Sequence, residues 1–240
     1  MTLPKGQHRR RYVAKIFSRI AARYDLLNSI MSGGRHHAWR REALRMVLRN
    51  RKGPILDLAM GTGDFSVEAA RSQDVSVVIG LDLTLPMIIL ARQKASKNRT
   101  LEKIRFVLGD AQSLPFSNER FTCVTVGFGV RNFPDLTEAL KELVRVLKPG
   151  GRLVILEIVY GRNTGPIATL FRKAFRVIAP WLGAIVAHDR EAYAYLPESV
   201  LAFLTGDELA QSMECAGLEL VERRNFAFAT VVILVGKKPR

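Results

Sequence analysis

Cysteine is scarce in this sequence. Cys123 and Cys215 are its two cysteines in 240 residues, far apart and without a second Cys or His at ligand spacing. A disulfide framework and a zinc site are therefore not expected, and a reducing compartment, the cytoplasm, is the natural setting. Long apolar runs are missing as well. None approaches the roughly 18 residues of a membrane span, and no apolar stretch follows the basic start as in a secretory signal. Acids are almost absent from the first fifth, where residues 1–52 hold fourteen Lys or Arg against Asp25 and Glu42, +12 of a net +15. One end of the molecule is thus strongly positive. Nucleic acid, an anionic membrane surface and plain solvation all suit such a field, and composition does not choose among them. The third glycine of the G-x-G-x-x-G fingerprint is also lacking, which argues against a nicotinamide oxidoreductase.

What is present is apolar residue, 48% of the chain, enough for one large domain or a domain with a lid. The stretch that organises it runs Ile55-Leu56-Asp57-Leu58-Ala59-Met60-Gly61-Thr62-Gly63-Asp64-Phe65. Its aliphatic start reads as a buried parallel strand, its small residues as a tight turn, and residues 65–71 as a helix. Small side chains let a ligand approach the backbone, and the helix start offers unpaired N–H groups. Any α/β protein can carry two glycines in such a turn. Residues 75–81, however, form a second strand ending in Asp82, nineteen residues after Gly63, where an acid can accept both hydroxyls of a ribose. Further helices are expected at 39–48, 86–97 and 136–147, and strands at 104–108, 121–127 and 152–158. A hairpin of residues 219–228 and 230–236, with a very short turn at Ala229, closes the sheet edge.

The pattern Asp57-x-Ala59-x-Gly61-x-Gly63 resembles the Asp-x-Gly-x-Gly-x-Gly turn of class I S-adenosylmethionine-dependent methyltransferases, with Ala59 replacing the first glycine. That resemblance implies an α/β fold with a seven-stranded, doubly wound, Rossmann-like sheet and a C-terminal antiparallel hairpin. It also implies S-adenosylmethionine as methyl donor, held by Asp57, Gly61, Thr62, Gly63, Asp82, Asp110 and Ala111, with no metal. The sulfonium supplies a reactive methyl without one.

The N-terminal region is read in three parts. Residues 1–11 are basic and expected to be mobile. From Tyr12 a basic amphipathic helix presents Val13, Ile16, Phe17 and Ile20 on one face, suited to packing or to a lipid interface. Residues 24–39, with the pair Gly33-Gly34, follow no periodicity. Their Tyr24-Asp25, Asn28, Ser32, His36 and Trp39 resemble the N-terminal signature of the menaquinone and ubiquinone biosynthesis C-methyltransferases, with Leu27 where Met is usual. Two further segments, Phe128-Gly129-Val130-Arg131-Asn132-Phe133 and residues 145–157, are similar to that family. Thr122, Gly127 and Val159 depart from it, and Gly127 stands where a serine contacts the cofactor.

The resemblance implies methylation of a ring carbon of a polyprenylated quinol, demethylmenaquinol or its benzoquinol counterpart. Arg131, His36 and Asp25 are the candidate catalytic residues, and Tyr24, Asn28, Trp39 and Asn132 the candidate substrate contacts. Arg131 can steady a phenolate or simply hold its loop in a salt bridge. Residues 1–52 are expected to be substrate gate and membrane contact, with the Val13 to Ile20 face in the acyl boundary of an anionic inner membrane surface. Residues 53–240 are the methyltransferase domain, with 160–205 as a helical lid. The rival readings are a nucleic-acid methyltransferase and a non-catalytic lipid-binding protein on the same fold. The first lacks an Asn-Pro-Pro-Tyr segment and a Pro-Cys loop, and the second has no need of Thr62, Asp82 and Asp110 together. Nothing in the sequence speaks to oligomeric state.

Overall fold

In the computed structural model, residues 4, 6–159, 190–227 and 229–240 are described. The core is one sheet of seven strands in the order β3-β2-β1-β4-β5-β7-β6. The strands are β1 Gly53–Leu58, β2 Val75–Asp82, β3 Ile104–Leu108, β4 Phe121–Gly127, β5 Leu147–Ile158, β6 Glu219–Phe226 and β7 Val231–Lys237. The first five pair in parallel, while β7 runs antiparallel to both β5 and β6. Central parallel strands are apolar on both faces because helices cover both. Alternate residues of β1, β4 and β5 accordingly divide between two cores. Leu56, Val124 and Ile155 pack beneath Leu140 and Leu143 of helix α6 Leu136–Val146 and Leu209 of helix α8 Gly206–Cys215. Ile55, Cys123 and Val154 pack beneath Ala43, Met46 and Val47 of α3 Arg35–Leu48 and Phe65 of α4 Asp64–Ala70.

Register brings the functional ends together. Leu58 of β1 lies opposite Leu81 of β2 and Val126 of β4, and Asp82 lies opposite Leu108 of β3. The carboxyl ends of four strands thus share one rim, and the order reverses between β1 and β4, where open α/β sheets form a crevice.

Most expected elements stand within a residue or two of their places, among them β3, β4 and α5 Leu85–Lys97. Strand β5 starts earlier than expected, at Leu147. Its pairing jumps from Phe121 with Leu147 to Cys123 with Arg152, so Lys148-Pro149-Gly150-Gly151 is a bulge within the strand rather than a turn before it. The hairpin loop is longer than expected, since β6 ends at Phe226 and β7 starts at Val231.

The N-terminal region needs the largest corrections. Helix α1 spans Gly6–Ile20, so residues 6–11 are helical. Residues 24–39 are helical too, as α2 Tyr24–Ser32 and the start of α3, separated by left-handed Gly33 and Gly34. Periodicity failed there because α2 buries little more than Leu27 and leaves Leu26 and Ile30 outward. The Val13, Ile16 and Ile20 face of α1 does not face outward for lipid. It is buried against Leu27 and Tyr195, with Phe17 partly buried beside it. Tyr195 belongs to helix α7 Arg190–Leu201, and its ring meets Tyr12 edge-on at 5.7 Å. The other part of the expected lid, residues 160–189, lies outside the described residues.

Candidate donor and substrate site

At the rim, the turn after β1 is strained where the sequence departs from the all-glycine pattern. Ala59 sits at φ +52, a left-handed conformation that few non-glycine residues adopt. Its methyl has a consequence across the cleft: a Cβ on Gly129 would lie 2.8 Å from the Ala59 Cβ, so the loop after β4 must be glycine there. Gly127 is explained in the same way. A side chain at that position would strike the Phe65 ring at 2.6 Å, so a serine has no room and the aromatic ring fills that wall. Arg40 lies close by, its guanidinium 5.8 Å from the Phe65 ring centre and 5.2 Å from that of Phe128.

Beside this turn opens a cleft of about 720 Å³, part of it open to solvent. Asp82 and Asp110 line it at the ends of adjacent strands, linked through the Gly109 N–H donating to the Asp82 carbonyl at 2.9 Å. One Asp82 oxygen accepts from the Gly61 N–H at 2.8 Å, and the other from the Thr84 N–H and hydroxyl at 2.9 Å each. Burial raises its pKa, against the pull of these hydrogen bonds. Asp110 accepts from the Gln112 N–H at 3.0 Å and pairs with Arg10 of α1 at 3.1 Å. Ala111, Gly61, Leu83 and Met87 complete this half. Two carboxylates, apolar walls and a small-residue turn fit a nucleoside. Val13, Phe17, Tyr24, Asn132, Phe133 and Pro134 line the rest, with Tyr24 next to Gly61.

Several expected contacts lie elsewhere. Asp57 is buried behind the turn, accepting from Ser66 at 2.6 Å and Thr125 at 2.9 Å, and burial pushes its carboxyl up to about 6. Its part is to anchor the strand end. Thr62 and Gly63 are not among the residues lining the cleft. The Thr62 hydroxyl donates to Asp25 at 2.5 Å instead. Asp25 in turn pairs with Lys94 at 2.7 Å, which turns it from the cleft.

His36 is buried with Nδ1 2.7 Å from the Ser32 hydroxyl, and burial and Arg40 lower it to about 4, so its imidazole is neutral and structural. His36, His37 and Asp64 have ligand atoms within 4.8 Å of one another, but Lys94 and Arg40 hold Asp64 at 2.6 and 3.5 Å, so a metal ion there would meet two cations. Burial works to raise the Asp64 pKa, and Arg40 and Lys94 outweigh it and bring it below the usual carboxylate range. Trp39 packs on Phe226 beneath the sheet, ring centres 6.2 Å apart, because its position on α3 faces the strands. Asn28 is half-buried on α2 and does not line the cleft either.

Arg131 takes the salt-bridge alternative. Its Nη1 donates to Glu157 at 2.5 Å and to the Phe128 carbonyl at 2.8 Å, with Glu157 fully buried. Burial opposes the guanidinium charge, and Glu157 more than restores it. The pair pins the loop after β4 to β5, and so presents the neighbouring Asn132 to the cleft. Three residues of this site escaped the sequence reading. Tyr195 donates its hydroxyl to Asn132 at 2.8 Å, Arg10 meets Asp110, and Lys94 binds Asp25. All three are contacts between distant segments, and no local spacing signals them.

This arrangement has relatives. The profile of the ubiE/COQ5 methyltransferase family matches residues 5–238. The chain belongs to that family. It is 42% identical over 226 residues to the demethylmenaquinone methyltransferase of Deinococcus radiodurans, covering 94% of this chain and 92% of that one. Identity is 37% over 238 residues with the ubiquinone/menaquinone biosynthesis C-methyltransferase UbiE of Cereibacter sphaeroides, covering 99% and 94%. Among solved structures, an S-adenosylmethionine-dependent methyltransferase of Thermotoga maritima superposes with TM-score 0.65 at 19% identity, over 93% and 99% of the two chains, a likeness of fold. The chain is therefore a methyltransferase with the expected class I sheet, and S-adenosylmethionine is its expected donor. Among the described residues, no helix of this methyltransferase is long and apolar enough to cross a membrane.

Proposed function

We propose that this methyltransferase transfers the methyl group of S-adenosylmethionine to a ring carbon of a polyprenylated quinol, most directly demethylmenaquinol. The observation that carries the proposal is one continuous cleft lined by Asp82 and Asp110 together with Tyr24 and Asn132. The names of the relatives support the same substrate class. Asp82 accepts from the ribose hydroxyls and Asp110 with Ala111 takes the adenine edge. The donor contributes an electrophilic methyl. The quinol contributes the carbon nucleophile: loss of a phenolic proton to solvent places electron density on the adjacent unsubstituted ring carbon, that carbon takes the methyl as the methyl–sulfur bond breaks and the thioether leaves, and loss of its own proton restores the aromatic ring. Tyr24 and Asn132 orient the ring hydroxyl, with Tyr195 fixing the Asn132 amide. Val13, Phe17 and Phe133 exclude water, and alignment of this kind contributes about 7–11 kcal/mol in well-oriented systems.

In this reading residues 53–240 form the methyltransferase domain. The gate narrows to residues 6–34, since α3 is a layer on the sheet. The outer face of α2 meets the membrane: Leu26 and Ile30 are one turn apart and 47% and 45% exposed, on the helix whose Tyr24 lines the cleft. Arg11, Lys15, Arg19 and Arg23 lie on the neighbouring N-terminal segment. A basic residue near an anionic surface contributes about 1 kcal/mol. The test is to supply labelled donor with reduced demethylmenaquinone or its benzoquinone counterpart, and to locate the label by mass spectrometry. A labelled ring carbon is expected; label on neither quinone removes the reading.

A further inference from the structure

Lys94 sits in the last turn of α5, far in sequence from both the N-terminal helices and the turn after β1, yet its ammonium touches both. It reaches Asp25 of α2 at 2.7 Å, Asp64 at the start of α4 at 2.6 Å and the Thr62 hydroxyl at 3.0 Å. Three N–H donors meet three acceptors on two separate segments, α2 and the turn that leads into α4. The Thr62 hydroxyl has one proton, and Asp25 receives it at 2.5 Å. Two carboxylates therefore share one cation, with Arg40 at 3.5 Å from Asp64 and His36 at 3.9 Å from it. Without the ammonium, Asp64 keeps Arg40, whereas Asp25, whose side chain is 46% exposed, faces a second carboxylate with only a hydroxyl to hold it.

We infer that Lys94 is a positioning residue that clamps the N-terminal gate onto the donor-binding turn, so that Tyr24 and the Gly61-Thr62-Gly63 backbone are set together. This rests on the function proposed above. Opening the clamp loosens α2, which carries Tyr24 into the cleft, and leaves the Thr62 hydroxyl with Asp25 alone. Lys94 acts through Asp25 and Thr62 and does not itself line the cleft.

Two measurements on the full chain test this. One is calorimetric affinity for S-adenosylhomocysteine, and the other is amide hydrogen exchange over residues 21–32 without ligand. Lys94→Met should weaken binding about tenfold and speed exchange in α2 by a similar factor, while thermal unfolding stays a single transition. Lys94→Arg, which keeps a charge able to reach both carboxylates, should restore affinity to within about threefold. In an Asp25→Asn background the Lys94→Met change should weaken binding by less than about threefold. Unchanged affinity and exchange in folded Lys94→Met would overturn the inference, as would a lowered melting temperature with both readings intact. Should Lys94→Met not fold, Lys94→Gln is read by the same two measurements against the same limits. A wild-type protein that does not bind the ligand would sink the donor reading, and the ligand-free exchange would still decide whether Lys94 holds α2.

Discussion

Asp82 and Asp25 are carboxylates at the same end of one sheet, and they are held in opposite ways. Asp82 takes its partners from its own neighbourhood: the turn after β1 and the residue two positions on supply N–H groups and a hydroxyl. Asp25 takes a cation from a helix on another part of the chain, and is 46% exposed. The first arrangement follows from strand register and a short turn, and it is rigid because backbone groups cannot move away. The second depends on docking of the N-terminal helices, whose apolar face is satisfied by Leu27 and Tyr195. One half of the cleft's lining is therefore built by the sheet and its loops, Asn132 and Phe133 included, and the other half, Val13, Phe17 and Tyr24, by a docked segment.

The sharpest way to separate the two halves is to damage the floor beneath them. Arg131→Met leaves Glu157 buried without its cation, and loss of one partner of a buried pair costs about 3–5 kcal/mol. Urea unfolding should register that loss, and a variant as stable as wild type would mean that Glu157 finds another partner. Next in size, Asp82→Ala should lower donor affinity by at least about tenfold, because each hydrogen bond to a charged group contributes about 1.5–3 kcal/mol. Calorimetry checks it. Equal affinity would transfer the ribose to another group and remove the contrast with Asp25.

The two halves also titrate in opposite senses. His36, beside the gate, has a folded pKa of about 4 against an ordinary 6.5, so its contribution to stability is complete above 6.5 and is lost as pH falls towards 4. Asp57, behind the donor turn, has a folded pKa of about 6 against 3.8, so its contribution is complete below 3.8 and is lost as pH rises through 6. Between about 4 and 6 the two oppose each other, each with a slope of up to about 1.4 kcal/mol per pH unit. Relative to wild type, stability of His36→Gln should fall more steeply as pH rises through this window, and that of Asp57→Asn should rise more steeply. Parallel curves for all three proteins would show that neither group titrates as its surroundings require.

The smallest effect belongs to the surface. Replacing Leu26 and Ile30 together by Ser should weaken co-sedimentation with anionic vesicles by about tenfold, since full burial of such a side chain contributes about 1.5–3 kcal/mol and these are already half covered. Thermal stability should barely move. Equal sedimentation would place the lipid contact off α2 and return this face to solvent.

The half built by the sheet was legible in the chain because its information is local. The turn from Asp57 to Gly63, the acid closing β2 and the spacing of β3 and β4 are set within a few residues, and the structure puts Asp82, Asp110 and Ala111 on one cleft. Trp39, His36 and Asn28 were legible as residue types in a pattern, but not as positions on helix faces. A pattern fixes spacing along the chain and leaves open which side of a helix meets the sheet. Asp25 and Thr62 stand off the cleft lining for a related reason: they bond each other and Lys94, which comes from α5.

By itself, the sequence determined the alternation of strands and helices, the donor turn and the concentration of positive charge, because each depends on neighbouring residues or on simple counts. Tertiary structure alone decided that the α1 face is core rather than lipid contact, that Arg131 pairs with Glu157, and that Lys94 bridges α2 to the turn after β1. Those outcomes depend on which distant groups compete for one apolar face or one charge, and that competition is settled when the segments pack.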